Sequence, residues 1–285
     1  MSIMNLSTVD PAHLELVESV VRELIADGLI APESIMVVGA ECRDILHRAY
    51  GHGFTLRGTR DLDVGLAITD WQAHDAVLSR FRPTGHTGIR YTISGMPVDI
   101  MPFGAVEVPR GEVAPVRRAN VPLSVFGFQE VFDGSLSLPL PSGTSIRIPA
   151  AAGYATLKLR AWRDRWTASF DTKDGPDLAT IVFWYSEDPD IASRLWETPE
   201  GLLLLDSVEH DYPVAAARLL GRDAIAVMGA ERASELRSLW RNLELDELAK
   251  AFGDATLPGW PADRRRRRSL VDGLTDGLMD MTSPN

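Results

Sequence analysis

The sequence predicts an α+β protein: a mixed β-sheet flanked by helices over residues 1–145, followed by an all-helical domain over 146–285. Three observations carry this expectation. In the first half, short apolar or alternating segments of strand character are interleaved with segments of helical spacing. The last extended pattern ends at Ile148, and Pro149 then sits where proline suits the first turn of a helix, opening a half in which the apolar patterns all have helical spacing. Finally, 285 residues that are 45% hydrophobic and 24% charged allow one large domain or two ordinary ones, and exclude a disordered or fibrous chain.

Across residues 11–27, Leu14, Val17, Val20, Val21, Leu24 and Ile25 recur at helical spacing, with Asp10 placed to cap the start and Gly28 to stop the end. Residues 35–38 form a short apolar strand ending at Gly39, and residues 40–50 return to helical spacing through Cys42, Ile45, Leu46 and Ala49. Residues 62–68 alternate as a second strand and 71–81 are helical. Residues 88–94 and 97–101 form a hairpin turning at Ser94-Gly95. Residues 126–148 read as extended, with turns at Asp133-Gly134 and Ser142-Gly143. Helices are expected over 150–165, 177–185, 190–196, 212–220, 230–242 and 245–252, and the only low-complexity element is the arginine run 264–268.

Forty acidic against 29 basic residues give a formal charge of −11, so the surface as a whole repels nucleic acid and anionic membranes, and a polyanion must bind locally. Only three of the bases are lysines, Lys158, Lys173 and Lys250, and the first two lie close together. The single cysteine, Cys42, excludes an intramolecular disulfide framework; its spacing places it on the inner face of its helix, as a small buried hydrophobe. No basic-then-apolar leader opens the chain, and the aliphatic run 202–205 falls far short of the ~20 residues a membrane span requires. A cytoplasmic protein with no membrane partner is the expectation.

The chemistry concentrates in Arg57-Gly58-Thr59-Arg60-Asp61-Leu62-Asp63-Val64-Gly65. Side chains two apart on a strand share a face, so Asp61 and Asp63 point the same way while Leu62 and Val64 point into the core. Two such carboxylates repel unless a cation lies between them. Asp99, flanked by Val98 and Ile100, supplies a third on another strand. Three convergent carboxylates suit Mg²⁺, and two such ions could activate an attacking oxygen and neutralise a leaving pyrophosphate. A solvated strand end is the plain alternative for an Asp-x-Asp. Gly39-Ala40, at a strand-to-helix turn, offers free N–H groups to a phosphate, and Arg57 and Arg60 offer guanidinium groups beside the acid pair.

This order of glycine turn, helix, Asp-x-Asp and third Asp resembles the polymerase-β-like nucleotidyltransferase superfamily. Val38-Gly39-Ala40-Glu41-Cys42-Arg43-Asp44-Ile45-Leu46 is similar to the Gly-Gly-x-x-Arg-Asp segment of the tRNA CCA-adding enzymes. A closer resemblance is to the AbiEii-like toxins of type IV toxin–antitoxin systems. They share the Thr/Arg-rich lead into Asp-x-Asp and a helical second half with a Lys, here Lys158, followed by a segment like Lys173-Asp174-Gly175-Pro176-Asp177-Leu178. The likeness covers residues 34–185. Here Ala40 replaces the second glycine or serine and brings no hydroxyl. The twenty-two residues from Gly39 to Asp61 require the Gly51-His52-Gly53 loop to absorb their length.

The resemblance implies Mg²⁺-dependent transfer of a nucleotide from an NTP to a tRNA or protein acceptor, as a toxin-type activity with a cognate antitoxin. Under it Asp61 and Asp63 bind both metals, and Asp99 holds the catalytic one and assists deprotonation of the acceptor. Lys158 contacts the nucleotide phosphates, Lys173 stands beside it, and Asp177 holds Lys158 or the substrate. Thr59 contacts phosphate or accepts one. Plainer roles compete: Lys158 as a snorkelling stem, Asp177 as a first-turn acid, Thr59 as a turn hydroxyl. The functional alternatives are an antibiotic nucleotidyltransferase, for which an acidic surface suits a cationic aminoglycoside, and a non-catalytic nucleotide- or partner-binding protein. Six histidines, at 13, 47, 52, 74, 86 and 210, have no zinc spacing, and Walker and Rossmann glycine loops are absent. The run 264–268 is either a solvated helix end or an RNA-phosphate contact.

Overall fold

The computed structural model describes residues 5–58, 61–118 and 121–280. It is a mixed α/β structure that divides into two compact units, Asn5–Ala150 and a helical unit that begins at Ala151. The division falls after the strand Ser145–Ile148, a few residues beyond the position the sequence suggests, because that strand is part of the sheet.

The first unit runs α1 (Glu15–Ile25), β1 (Ile35–Val38), α2 (Gly39–Ala49), β2 (Leu62–Ile68), α3 (Trp71–Leu78), β3 (Arg82–Pro83), β4 (Arg90–Ile93), β5 (Met96–Gly104), β6 (Glu112–Val113), β7 (Leu123–Ser124), α4 (Phe128–Asp133), β8 (Leu136–Pro139) and β9 (Ser145–Ile148). α1 buries Val17, Val20, Val21 and Leu24 on the stripe its spacing predicts. Asp10 does cap, but it caps the short 3₁₀ turn Pro11–His13 that precedes the helix.

Seven strands form one sheet in the order β3-β4-β5-β2-β1-β9-β8, while β6 and β7 pair separately. β2 runs parallel to β5 and β1 parallel to β9; the pairs β1–β2, β4–β5, β3–β4 and β8–β9 are antiparallel. All four residues of β1 are buried, as befits a strand covered on both faces. β4 and β5 turn at Ser94-Gly95, where positive φ at both residues gives the tight two-residue connection favoured in hairpins.

One expectation is corrected. Residues 128–133, expected to be extended, form α4. Gly127, with φ 82°, ends the extended run, and Phe128 and Phe132 pack at helical spacing against Phe103, at ring centroids of 5.7 and 5.4 Å. Gly65 on β2 leaves the space that the Phe103 and Phe128 rings fill.

The helical unit comprises α5 (Ala151–Ser169), α6 (Gly175–Glu187), α7 (Pro189–Glu197), α8 (Pro199–Ser207), α9 (Tyr212–Trp240), α10 (Leu245–Ala251) and α11 (Arg264–Met279). Its core holds Tyr154, Trp162, Trp184, Trp240 and Phe252. α6 is buried almost all round, as expected of a central helix. The two helices read over 212–220 and 230–242 are both present within α9, meeting at a kink at Gly229, whose φ of 66° and ψ of 171° are not helical; the first runs on to the kink, beyond the end the sequence suggests. α8 and α11 go unread in the sequence, α11 because its start is the arginine run. Its packing on α9 is the largest helix–helix contact of the unit. That contact depends on Gly221 and Gly277, where an added Cβ would overlap the Leu274 and Arg218 carbonyl oxygens of the facing helix. Among the described residues, no helix is long and apolar enough to cross a membrane.

Candidate functional site

The register of the sheet decides which polar side chains meet. Asp63 on β2 lies directly opposite Asp99 on the parallel strand β5, and Arg90 on β4 lies opposite Asp99 on its other side. The three therefore form one row on one face, because directly paired residues project together. Leu62 and Val98, paired one position earlier, are buried on the other face.

Asp61 joins this row through Arg90. The guanidinium donates from Nε to Asp99 Oδ1 at 2.8 Å and from Nη2 to Asp99 Oδ2 at 2.7 Å, and the same Nη2 reaches Asp61 Oδ2 at 2.7 Å. Hydrogen bonding to Asp99 raises the Arg90 pKa above its ordinary value, although burial opposes it. Two carboxylates within reach of one nitrogen would repel each other without such a cation.

Asp63 is held close to the start of α2. Gly39 has φ 66°, and a Cβ built there would overlap Asp63 Oδ2, so this position excludes every side chain. Beyond the phosphate contact expected at Gly39, there is a nearer requirement for glycine: the Asp63 carboxylate occupies the space a side chain would take. Ala40 follows in the first turn of α2, then Glu41, whose carboxyl is pushed up by burial and next by the Asp44 charge.

The loop from α2 to β2 is tied down by Arg43. This buried side chain pairs with Asp44 at 2.7 Å and donates from Nη2 to the Arg57 carbonyl oxygen at 2.5 Å. Arg57 itself is exposed, and Thr59 and Arg60 lie outside the described residues. Beside the loop, His47 Nε2 is 3.1 Å from the Phe54 carbonyl oxygen, and the His47 ring stacks on His52 at 4.9 Å. Burial, then the neighbouring His52, push the His47 pKa down to about 4. Cys42 is fully buried, as its spacing predicts.

Asp61, Asp63 and Asp99 offer only carboxylate oxygens, the donors a hard divalent cation prefers. Among the described residues no three Asp, Glu, His or Cys side chains are grouped as a ready cage. Asp61 and Asp99 are instead drawn to Arg90, and a carboxylate oxygen in such a bond keeps a second lone pair for another cation. The donor set fits Mg²⁺ in kind.

In the helical unit, Lys158 on α5 meets two buried carboxylates: Nζ is 2.6 Å from Asp177 Oδ2 and 3.2 Å from Asp174 Oδ1. Arg165 reaches the other oxygen of Asp174, and the ammonium also lies 5.5 Å from the Tyr154 ring centroid. Asp177 stands in the first turn of α6 and also pairs with Lys158. Lys173 is exposed, with its ammonium 4.0 Å from Asp171.

The arginine run opens α11. Arg266 pairs with Asp211, Arg268 with Asp246 and Asp272, Arg264 donates to the Asp246 carbonyl, and Arg267 donates to the carbonyls of Ala249, Pro261 and Ala262. Four of the five arginines thus hold their own unit together, while Arg265 is exposed.

Two residues of the first unit escape a sequence-based assignment. Arg43 stands inside the Gly39–Asp44 segment but has no obvious partner until the Arg57 carbonyl is placed. Arg90 carries a readable signal: the two-residue turn at Ser94-Gly95 fixes the hairpin register and puts it opposite Asp99. Compared with known proteins, the chain matches no family model, no curated protein and no solved structure.

Proposed function

We propose that the protein is a Mg²⁺-dependent nucleotidyltransferase that moves a nucleotide from an NTP to a macromolecular acceptor, with tRNA as the first candidate and a protein as the second. The supporting observation is the row Asp63–Asp99–Arg90 with Asp61 attached, three carboxylates on one face beside the glycine that opens α2. Asp61, Asp63 and Asp99 would hold the metal, which when bound neutralises phosphate charge and polarises the attacking oxygen.

The chain's own residues have separable parts in this reading. Gly39 gives Asp63 its place, and the first N–H groups of α2 face a phosphate as donors. Arg43 holds the loop that carries Arg57, so that guanidinium groups can meet phosphate oxygens. Asp99 accepts the proton of the acceptor hydroxyl, a role that requires Arg90 to leave one of its oxygens available. In the helical unit, Lys158 would in this reading keep the phosphate contact that the resemblance implies, with Asp177 as the residue that orients its ammonium. A toxin-type role with a cognate antitoxin belongs to the same proposal.

The test is incubation with each labelled NTP, Mg²⁺ and total tRNA or lysate, alongside Asp61→Ala and Asp63→Asn. Label in macromolecules that both variants lose supports the reading. Label appearing only on a cationic aminoglycoside, for which the −11 surface is suited, would move the acceptor to small molecules. Nucleotide binding indifferent to Mg²⁺, with no label transferred, would make the protein a binding module instead.

A further inference from the structure

A single guanidinium serves two of the three carboxylates. Arg90 makes a two-pronged contact with Asp99, using Nε and Nη2, and extends Nη2 to Asp61 as well. Asp99 has 14% of its side-chain surface exposed and Asp61 34%, so the first contact is well shielded and the second opens toward solvent. Arg90 projects from β4, whose backbone pairs independently with β5. Its side chain can therefore change place without moving the strands that carry the carboxylates.

A guanidinium and a hard divalent cation seek the same carboxylate oxygens and the same negative potential, and at one place they repel each other. We propose that Arg90 is a built-in counter-ion that closes this site while no divalent cation is bound, and that cation binding is coupled to its release from Asp61 and Asp99. The inference rests on reading these carboxylates as cation ligands. It adds to that reading a cost to cation binding, which lowers the affinity of the site for bare Mg²⁺.

The probe is Mn²⁺, whose free concentration is read directly by electron paramagnetic resonance. It is titrated into the full chain, Asp99→Asn, Arg90→Gln and the double variant. Removing a competing cation of ordinary coupling strength should tighten binding by Arg90→Gln roughly tenfold, and adding Asp99→Asn should erase the gain. Equal or weaker binding by Arg90→Gln, at a site Asp99→Asn abolishes, overturns the counter-ion role and leaves the cation reading standing. No saturable binding to any of the four proteins overturns the cation reading, and the counter-ion role with it. A second measurement uses the unaltered protein, in case Arg90→Gln fails to fold. The Arg90 Nε–H resonance should exchange slowly with water in the metal-free chain and faster at saturating Mg²⁺. Exchange unchanged by bound Mg²⁺ would overturn the proposal.

Discussion

Lys158 and Asp177 meet at 2.6 Å in the helical unit, with 13% and 4% of their side-chain surfaces exposed. An ion pair so shielded is a stability element whatever else it does, because removing one partner leaves a buried charge without compensation. Lys158→Ala, which also strands Asp174, should lower unfolding free energy by about 3–5 kcal/mol, measured by urea denaturation. Burial acts against the ammonium, but Asp177 and Asp174 outweigh it and hold its pKa above the ordinary value. A group raised in the folded state contributes fully below its unfolded pKa, about 10.4 for lysine, and loses that contribution as pH rises through the folded value. The ammonium's contribution should therefore be constant through neutrality and be lost in strong alkali, a loss that Lys158→Met abolishes.

Gly39→Ala should displace Asp63, since the new methyl group would overlap its carboxylate at a backbone position with φ 66°. The expected cost is about 1–3 kcal/mol of stability, together with a fall in any Asp63-dependent activity of roughly a hundredfold. Thermal denaturation and the labelled-NTP assay read the two effects separately. A variant that keeps both would remove Gly39 from the site.

His47 makes the sheet unit acid-sensitive. Its folded pKa of about 4 lies below the ordinary 6.5, so the unfolded chain binds the extra proton first. Stability from this group is complete above pH 6.5 and is lost as pH falls through about 4, up to about 3 kcal/mol. His47→Gln should flatten the stability profile across that window, as followed by denaturation at stepped pH.

Gly277→Ala should destabilise the helical unit by about 1–3 kcal/mol through overpacking against the Arg218 carbonyl, read as a drop in melting temperature. The same packing makes a truncation at residue 264 unsuitable as a probe of RNA binding, since it removes α11 altogether. Arg265→Glu is the cleaner test. A weakened, salt-dependent affinity for tRNA would give the run an acceptor role, and unchanged affinity at low salt would assign it to structure alone.

Much of the sheet unit is legible in its sequence because its signals are local. The apolar run Ile35–Val38, the alternation of Leu62–Ile68 and the Ser94-Gly95 turn each specify an element, and together they place Asp63, Asp99 and their face. α4 is obscured because Phe128 and Phe132 carry both strand propensity and helical spacing, and only contact with Phe103 decides between them. Within the site, the carboxylates are readable as residue types. Arg43 and Arg90 act through partners fourteen and nine residues away, which only the folded register reveals. The pairing of the arginine run is hidden for a similar reason: Asp211 and Asp246 are distant in sequence and meet Arg266 and Arg268 only in the folded unit.

The hairpin at Ser94-Gly95 also bears on the order in which the molecule assembles. Closing a short loop costs less chain entropy than closing a long one, and hairpins form within microseconds. Arg90 and Asp99 flank a two-residue turn, whereas Asp63 must arrive from an earlier strand, and Met36 must find Arg147 near the far end of the unit. Loop entropy thus favours an order in which the guanidinium stands beside Asp99 before Asp63 docks against it. In that order, the pairing that brings Asp63 opposite Asp99 would take place on a surface already neutralised.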